Sequence, residues 1–411
     1  MTRILHISTR LILGGSQENT VLSCEGQADA GRDVHLAYGP IHGPEGSMLD
    51  RVRGFQAMDG GGIATHEVPS LVRPVHPARD IAAYKQLKRL IDDIEPDVVH
   101  THSSKAGILG RLAAWRARCK PAVVHTIHGP PFMPVEGSPV RRLRLRLNNA
   151  IYTLAERVAA TRCDAIVSVA DAMTRQFLDR GIGTPALYTT VRSGVDLAPY
   201  TEPTPTRDEV RAGLGLEPHD FVVGTVARLA QHKGHDDLLD ALADDLAANP
   251  HWKLLWVGDG YWRERLEARI AEHALSNQVV LTGLVPPADV PGLIRAMDVL
   301  AHPSYREGLP RTVTQALLSG VCPVAYDCDG TPEICRHDRT GLLIPTGDVA
   351  ALRGAVKRLA DHPDERLRMA ATGRESAARE FSARAMVAGL EHVYAEALER
   401  RARRTGPRRG R

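Results

Sequence analysis

The chain has 411 residues, of which 43% are hydrophobic, 25% charged and 4% aromatic, and its formal net charge is +3. This length favours two domains of a globular protein, and the scarcity of aromatic residues argues against a stacking surface for nucleic acid. No apolar run reaches the length of a membrane span, and Met1 leads directly into a predicted strand rather than a signal peptide. We therefore expect a cytoplasmic protein that does not bind nucleic acid.

The cysteines and the arginine-rich end carry little functional signal. Six cysteines show no close pair, as expected of incidental thiols in a reducing compartment. The segment from Arg400 to Arg411 holds seven arginines. Such a run is most often a solvated end, and binding to an anionic membrane or a nucleic acid is the functional alternative. We expect residues 404–411 to form a basic, disordered tail.

Predicted strands alternate with predicted helices along nearly the whole chain. In the first half the strands are Ile4–Ser8, Val34–Ala37, Val98–Thr101, Val123–Ile127, Ala165–Val169 and Tyr188–Val191. Helical patterns lie between them at Asn19–Ala30, Tyr84–Asp93, Ala106–Ala117 and Ile151–Ala160. In the second half the strands are Phe221–Ala227, Lys253–Val257, Val279–Thr282, Val299–Ala301, Pro323–Ala325 and Leu342–Ile344. This alternation predicts an α/β fold with parallel sheets covered by helices on both faces.

A proline-rich connection divides the pattern. Between Asp196 and Asp220 any regular element is interrupted at Pro199, Pro203, Pro205 and Pro218. We therefore expect two doubly wound, Rossmann-like domains, residues 1–200 and 201–380, facing a ligand cleft at the carboxyl ends of their strands. A last helix, residues 381–403, is expected to pack on one of them.

Glycines and histidines follow the strands of the first half. Gly14 and Gly15 form a turn that allows close backbone approach to a ligand, with Ser16 as a helix cap. The third and fourth strands carry or precede four histidines: His100, His102, His125 and His128. Their spacing contains no helical i, i+4 pair and no carboxylate accompanies them, so a metal site is not expected.

A predicted helix rich in arginine begins near Arg141. Its predicted buried stripe consists of Leu143, Leu147, Ala150, Ile151, Leu154 and Val158. Leu145 projects to the opposite side, among Arg141, Arg142 and Arg144. This face suits an anionic membrane surface, and the alternative is a solvated arginine face on a core helix.

The loop after Phe221–Ala227 carries two cations. Arg228 and Lys233 are five positions apart, and Gly234 precedes a helix. An arginine fork and a lysine charge suit a diphosphate and would stabilise charge that accumulates on it as it leaves. The glycine turns Gly258-Asp259-Gly260 and Gly283-Leu284-Val285 follow the next two strands, where they either contact a nucleobase or serve as structural turns.

The segment Arg306–Gly320 reads as a loop with a carboxylate, Glu307, and then a short helix. Pro310 suits the first helical turn and Gly320 the position after the helix. Val313, Ala316 and Leu317 form the predicted buried stripe. A helix N-terminus preceded by a glycine-containing loop suits a phosphate, and a surface helix is the alternative.

Taken together, these motifs resemble the donor half of retaining glycosyltransferase family 4, which has the GT-B fold. The resemblance rests on Arg228-x4-Lys233-Gly234, Gly258-Asp259-Gly260, Gly283-Leu284-Val285, the run from Asp298 to Gly308, Gly330–Ile334 and Gly341–Ile344. In the first half, Gly14-Gly15 and His128-Gly129 look like that family's glycine turn and acceptor-side histidine. The run His102–Gly107 with Ser193–Asp196 is similar to members that build bacterial surface polysaccharides.

The resemblance implies metal-independent, retaining transfer of a hexose from a nucleotide-diphosphate sugar, UDP or GDP, with no cofactor. The acceptor would be a glycan or a polyprenyl-linked sugar at the inner face of the membrane, in polysaccharide synthesis. Arg228 and Lys233 would hold the diphosphate, Glu307 the donor sugar hydroxyls, and His128 would lie by the reacting sugar. The other implied contacts to the donor are Gly14, Gly15, Gly258, Leu284, Gly308, Leu309 and Gln315.

The sequence departs from the family at one position. The EX7E pattern is Glu307-x7-Gln315 here, so an amide replaces the carboxylate that would meet ribose hydroxyls. An amide keeps one acceptor oxygen but loses the charge that strengthens the hydrogen bond. The alternatives to a transferase are therefore a catalytically weak sugar-nucleotide-binding subunit and a sugar-nucleotide 2-epimerase on the same fold.

Overall fold

The computed structural model describes residues 1–41, 46–129, 131–132, 138–201 and 205–405. The chain divides into two compact units: unit 1 is Met1–Gly194 with Ala383–Arg411, and unit 2 is Val195–Ser382. The predicted boundary at residues 200 and 201 falls a few residues later, and the last helix belongs to unit 1. Of the predicted basic tail, residues 406–411 lie outside the described residues, whereas Arg404 and Thr405 belong to that helix.

Each unit contains one parallel sheet. Unit 1 has seven strands in the order β3-β2-β1-β4-β5-β6-β7. They are β1 Arg3–Ser8, β2 Asp33–Tyr38, β3 Ala64–Glu67, β4 Val98–His102, β5 Ala122–Ile127, β6 Ala165–Ser168 and β7 Tyr188–Thr190. Unit 2 has six strands in the order β10-β9-β8-β11-β12-β13. They are β8 Phe221–Val226, β9 Trp252–Val257, β10 Val279–Gly283, β11 Val299–His302, β12 Cys322–Asp327 and β13 Leu342–Pro345.

Helices connect the strands. In unit 1 they are α1 Gly15–Asp29, α2 Leu49–Gly54, α3 Pro77–Ile94, α4 Ser104–Arg116, α5 Pro139–Ala160, α6 Asp171–Leu178 and α15 Ala383–Thr405. In unit 2 they are α7 Ala198–Thr201, α8 Arg207–Gly213, α9 His235–Ala248, α10 Arg263–Glu272, α11 Val290–Arg295, α12 Arg311–Leu318, α13 Val349–Asp361 and α14 Pro363–Glu380. Two doubly wound α/β units confirm the predicted fold class.

Some local predictions were wrong, including the expectation of no regular element between Asp196 and Asp220, where α7 and α8 lie. The strand β3 was missed, because its four residues, Ala64–Glu67, are half-buried or exposed at the sheet edge and show no apolar run. Ser16 does not cap α1: Gly14 is the residue before the helix, and the Ser16 hydroxyl donates to Gln17 Oε1 at 2.9 Å.

The apolar stripe of α5 is the largest difference from the sequence prediction. Six side chains at 41–79% exposure lie along this helix: Val140, Leu143, Leu147, Ile151, Leu154 and Val158. Ala150 is also exposed, whereas Leu145 is half-buried. At about 100° per residue the six project within about 80° of arc. The predicted stripe is therefore apolar and continuous, but it faces solvent instead of a core.

Helix α5 is anchored to unit 1 through the side opposite its apolar stripe. Arg111 of α4 and Glu156 of α5 form a buried ion pair at 2.7 Å, and the Tyr152 hydroxyl donates to Glu156 Oε1 at 2.9 Å. Glu156, Ala159 and Ala160 are buried. The C-terminal part of α5 is thus anchored by buried polar contacts, and the apolar stripe does not contribute to the hydrophobic core.

Helix α15 covers one face of the unit 1 sheet, at the strands β1, β4 and β5. Its buried residues Leu390, Val393 and Tyr394 pack in one cluster with Ile4 and Val98. Because the C-terminal helix packs back on unit 1, Tyr394 lies beside the side chains of the central strands.

Candidate active site

Two loops of unit 2 meet at the carboxyl ends of the neighbouring strands β8 and β11. Gly234 in the first loop has φ 69°, and a Cβ there would lie 2.0 Å from the carbonyl oxygen of Pro303 in the second. The Tyr305 N–H also donates to the His232 carbonyl at 2.9 Å. Close backbone packing therefore holds the two loops together, and only glycine fits at position 234.

This packing brings Lys233 and Glu307 into contact. Lys233 Nζ donates to Glu307 Oε1 at 2.6 Å, and His302 Nε2 donates to the same oxygen at 2.9 Å. Burial by itself raises the pKa of the Glu307 carboxyl, but Lys233 and His302 outweigh burial and hold that pKa well below its usual range. Glu307 is therefore a carboxylate at neutral pH that accepts hydrogen bonds and has no proton to donate.

Two further residues orient this carboxylate. The Glu307 N–H donates to Asp329 Oδ2 at 2.8 Å, and the Thr312 hydroxyl donates to His302 Nδ1 at 3.3 Å. The sequence pattern indicated a functional role for neither His302 nor Asp329. The position of His302 at the end of β11, within the motif that leads to Glu307, was the available signal; Asp329 follows a different strand and gave none.

Helix α12 begins next to this carboxylate. Pro310 is the residue before the helix rather than part of its first turn, and no side chain caps it. The predicted stripe of Val313, Ala316 and Leu317 is buried, and Gly320 follows the helix with φ 73°. Gly308 and Leu309 lie in the loop immediately before α12, and Gln315 is half-buried on it.

The remaining donor-side predictions lie at the ends of β8, β9 and β10. Arg228 is exposed after β8, and the adjacent Leu229 N–H donates to the Asp259 carbonyl at 3.1 Å. A Cβ at Gly258 would lie 2.1 Å from the Ala227 carbonyl oxygen. The structural explanation of that glycine is thus a close backbone contact. Leu284 follows β10 and is 58% exposed.

Unit 1 carries the other predicted residues. Gly14 and Gly15 open α1, where Gly14 is in extended conformation with φ 176°. His128 follows β5 and is half-buried. His100 was expected after a strand and instead lies buried within β4, whereas His102 is the last, buried residue of that strand; His125 lies buried within β5.

His128 is one end of a chain of seven hydrogen-bonded side chains: Thr126, His100, Tyr394, Gln27, His6, His102 and His128. The six hydrogen bonds measure between 2.6 and 3.0 Å. Burial lowers the pKa of His6 to about 4 and the pKa values of His100 and His102 well below the usual range. These three rings are therefore neutral at pH 7.

Three members of the chain, His6, His100 and His102, are close enough together to hold a metal ion. Two tetrahedral zinc ligands have nitrogens about 3.3 Å apart. His6 Nδ1 and His102 Nε2 are 2.9 Å apart, a hydrogen-bonding distance, and every ring nitrogen of these three residues has a hydrogen-bond partner. The donor set therefore fits a hydrogen-bonded chain better than a metal centre.

Known proteins share both halves of this arrangement. Residues 13–199 match the family described as Glycosyltransferase Family 4, and residues 206–376 match Glycosyl transferases group 1. A Streptomyces fradiae 2-deoxystreptamine N-acetyl-D-glucosaminyltransferase is 30% identical over 72% of this chain and 70% of its own length. The chain belongs to glycosyltransferase family 4. An Escherichia coli UDP-Gal:alpha-D-GlcNAc-diphosphoundecaprenol alpha-1,3-galactosyltransferase is 27% identical over 87% of this glycosyltransferase and 88% of its own length.

Solved structures show the same GT-B fold at lower identity. The Anabaena protein Alr3699/HepE in complex with UDP-glucose matches 96% of this glycosyltransferase and all of its own chain, with TM-score 0.77 and 20% identity. Sucrose-phosphate synthase from Thermosynechococcus elongatus matches with TM-score 0.78 and 19% identity over 97% of this chain and all of its own. Among the described residues, no helix of this glycosyltransferase is long and apolar enough to cross a membrane.

Proposed function

We propose that this glycosyltransferase is a metal-independent, retaining hexosyltransferase that uses a UDP- or GDP-sugar and needs no cofactor. Its acceptor is a glycan or a polyprenyl-linked sugar in polysaccharide or glycoconjugate synthesis, at the cytoplasmic face of a membrane. The relative from Escherichia coli supports this class of acceptor, since its name specifies a diphosphoundecaprenol-linked sugar. The observation that carries the proposal is the Lys233–Glu307–His302 cluster in unit 2.

In this proposal the cation and the carboxylate of the cluster bind different parts of the donor. Lys233 and the exposed Arg228 bind the diphosphate and stabilise the charge that accumulates on it as the sugar leaves. The Glu307 carboxylate accepts hydrogen bonds from donor sugar hydroxyls, because its depressed pKa leaves it ionised. The N–H groups near Gly308 and Leu309, in the loop before α12, add donors for the sugar or phosphate.

Ligand binding exchanges one partner of Lys233 for another. In the structure its ammonium is bonded to Glu307 at 2.6 Å. A diphosphate brings more negative charge than one carboxylate, so Lys233 turns toward it and frees Glu307 for the sugar. His302 keeps its bond to Glu307 and preserves the carboxylate orientation throughout.

The other predicted contacts complete the proposed site. Leu284 and the turn at Gly258 contact the base, Gln315 meets the ribose hydroxyls, and Gly14 with Gly15 approaches the diphosphate. His128 of unit 1 contacts the reacting sugar. No side chain is assigned as general base, since the departing phosphate serves that role on the same face in this family.

The test is a transfer assay with UDP- and GDP-hexoses and a polyprenyl-diphosphate-linked sugar, in EDTA. We expect a product whose anomeric configuration by proton NMR matches that of the donor. An inverted product would refute the retaining mechanism, and loss of activity in EDTA that Mg²⁺ restores would refute metal independence. Interconversion of donors without acceptor would favour the epimerase alternative.

The exposed stripe of α5 supports peripheral contact with an anionic membrane. Arg144 projects beside the stripe on one edge, at about 20° from it, and Arg146 on the other edge, at about 60°. An apolar stripe edged by arginines combines burial in the lipid interface with attraction to acidic headgroups. Sedimentation with vesicles of acidic phospholipid, against vesicles of phosphatidylcholine, measures this contact.

The matched variants replace exposed leucines in each unit. Leu143→Gln with Leu147→Gln removes two members of the stripe, which are 69% and 59% exposed. Leu367→Gln alters a 60% exposed leucine of unit 2 and serves as the control. We expect binding to acidic vesicles to fall about tenfold or more in the double variant alone. Equal binding by wild type and both variants would contradict the membrane contact.

A further inference from the structure

The hydrogen-bonded chain in unit 1 joins residues from five parts of the sequence. Gln27 lies on α1, Tyr394 on α15, His6 on β1, His102 on β4 and Thr126 on β5. The Gln27 amide is in the middle: its Oε1 is 2.7 Å from His6 Nε2, and its Nε2 donates to the Tyr394 hydroxyl at 3.0 Å. The mechanism described above uses only the far end of this chain, His128.

The orientation of the Gln27 amide fixes the direction of every proton on the His128 side. The amide oxygen of Gln27 only accepts, so His6 carries its proton on Nε2. A neutral His6 then has a bare Nδ1, which accepts from His102 Nε2–H at 2.9 Å. His102 Nδ1 in turn accepts from His128 Nε2–H at 3.0 Å. His128 therefore carries a proton on Nε2, and Nδ1 is the acceptor of the neutral ring.

The other side of the chain follows from the same amide. The Gln27 amino group only donates, so the Tyr394 oxygen accepts from it. The Tyr394 hydroxyl then donates to His100 Nδ1 at 2.6 Å, and His100 Nε2–H donates to the Thr126 hydroxyl at 2.7 Å. Turning the amide by 180° would reverse every bond in the chain, including the tautomer of His128.

We propose that Gln27 and Tyr394 are positioning residues that set the tautomer of His128 through His6 and His102. The Tyr394 hydroxyl bonds to the amide and links it to His100, and the orientation of the amide sets the proton on each ring in turn. The link to catalysis rests on the proposed role of His128 beside the reacting sugar. There, an acceptor Nδ1 binds the proton of a sugar hydroxyl, whereas a protonated Nδ1 would donate to the hydroxyl oxygen and turn its proton elsewhere.

The direct test is long-range ¹H–¹⁵N correlation of the protein labelled with ¹⁵N-histidine, which distinguishes the two imidazole tautomers. The His128 and His102 signals are assigned by their loss in His128→Gln and His102→Gln. In the wild type we expect both rings to be protonated on Nε2 alone. In Gln27→Met, which keeps the side-chain length but removes the amide, we expect the His128 signals to move toward a mixture of tautomers.

The chain offers an internal control. His35 Nδ1 and His66 Nε2 form a second hydrogen-bonded pair at 2.9 Å, on β2 and β3 of the same sheet, with the rings stacked. Their signals should not change in Gln27→Met. Conversely, His66→Gln removes that pair and should leave the His128 tautomer and the transfer rate as they are in the wild type.

Kinetics separates positioning from general damage. We expect Gln27→Met to lower kcat about three- to tenfold, the effect of one hydrogen bond, while the donor KM stays unchanged. Tyr394→Phe removes the hydroxyl with less change in volume and is expected to show the same tautomer mixture with a smaller loss in kcat. It also replaces Gln27→Met if that variant fails to fold.

Several results would overturn the inference. They are a mixed or Nδ1-protonated His128 in the wild type, an unchanged tautomer in both variants, or changed tautomers with an unchanged kcat. A stoichiometric zinc ion lost in His6→Gln would also overturn it, by replacing the hydrogen bonds with ligation. If no donor supports transfer at all, the proposed function fails, and the NMR result still decides whether the chain sets the tautomer.

Discussion

The two units hold their polar groups in opposite ways. Unit 2 presents an ion pair, Lys233 and Glu307, at the ends of neighbouring strands, where Glu307 is 12% exposed. Unit 1 buries neutral imidazoles, with His6 and His100 fully inaccessible within the sheet. The charged groups of unit 2 suit the proposed binding of an anionic leaving group. The neutral hydrogen bonds of unit 1 suit the proposed orientation of an imidazole ring.

The largest expected effect of this difference is on stability in acid. In unit 1 burial lowers the pKa of His6 to about 4, and the pKa values of His100, His102 and His125 well below the usual range. As pH falls from about 6.5 toward 4, the unfolded chain takes up protons that the folded chain does not. Each such histidine therefore destabilises the folded state by about 1.4 kcal/mol per pH unit.

Unit 2 should resist the same change. His235, whose pKa burial lowers to about 4, and His232, whose pKa burial also lowers, add two histidine contributions there. The pKa of Glu307 is depressed, so its stabilising contribution is complete above the unfolded pKa of about 4.3 and is lost only as pH falls below it. Hydrogen exchange resolved by peptide, from about pH 7 to about pH 5, should show protection falling first in β1, β4 and β5. Earlier loss in β8 and β11 would contradict this comparison.

The next largest effect is on catalysis by unit 2. Lys233→Ala removes the ammonium that we propose binds the leaving diphosphate, and we expect kcat/KM to fall about 10²- to 10³-fold. The control is Lys253→Ala on β9, whose ammonium donates to the Asn277 carbonyl at 3.3 Å. Steady-state transfer rates of both variants give the comparison. A loss below threefold for Lys233→Ala, or an equal loss for both, would show that the cation is not part of the site.

The smallest effect concerns Gln315. Gln315→Glu restores the carboxylate of the family pattern and makes the hydrogen bond to a ribose hydroxyl charge-assisted, so we expect donor KM to fall about fivefold with kcat little changed. Competition binding of the free nucleoside diphosphate measures the same change. A gain in kcat of two orders of magnitude or more would instead favour the alternative of a catalytically weak sugar-nucleotide-binding subunit.

The same comparison explains what the sequence predicted. Lys233 and Glu307 were both named from the sequence, because each follows a predicted strand and parallel strands end at one edge of a sheet. Their contact follows from the pairing of β8 with β11, which only the structure shows. The histidine chain was not visible. It depends on Gln27 and Tyr394, which are 367 residues apart and meet only when α15 packs on α1. No local spacing encodes that contact.

The stripe on α5 shows a second limit. Its 3.6-residue period correctly predicted an amphipathic helix, and the expectation of burial followed from the usual fate of such a stripe. Period alone does not tell a core-facing stripe from one that faces solvent. That depends on which elements lie opposite, and here the buried contact is made by Glu156 with Arg111 instead.

The most direct test of the central claim is thermal unfolding of the protein in EDTA with UDP, GDP and their hexose conjugates. A ligand at a hundredfold excess over its dissociation constant stabilises the unit that binds it by about 2.7 kcal/mol. We expect UDP- or GDP-sugars to raise the unfolding midpoint of the wild type and of Lys253→Ala, and to leave the midpoint of Lys233→Ala unchanged. A midpoint that no nucleotide raises, or a rise that Lys233→Ala leaves intact, would contradict that claim.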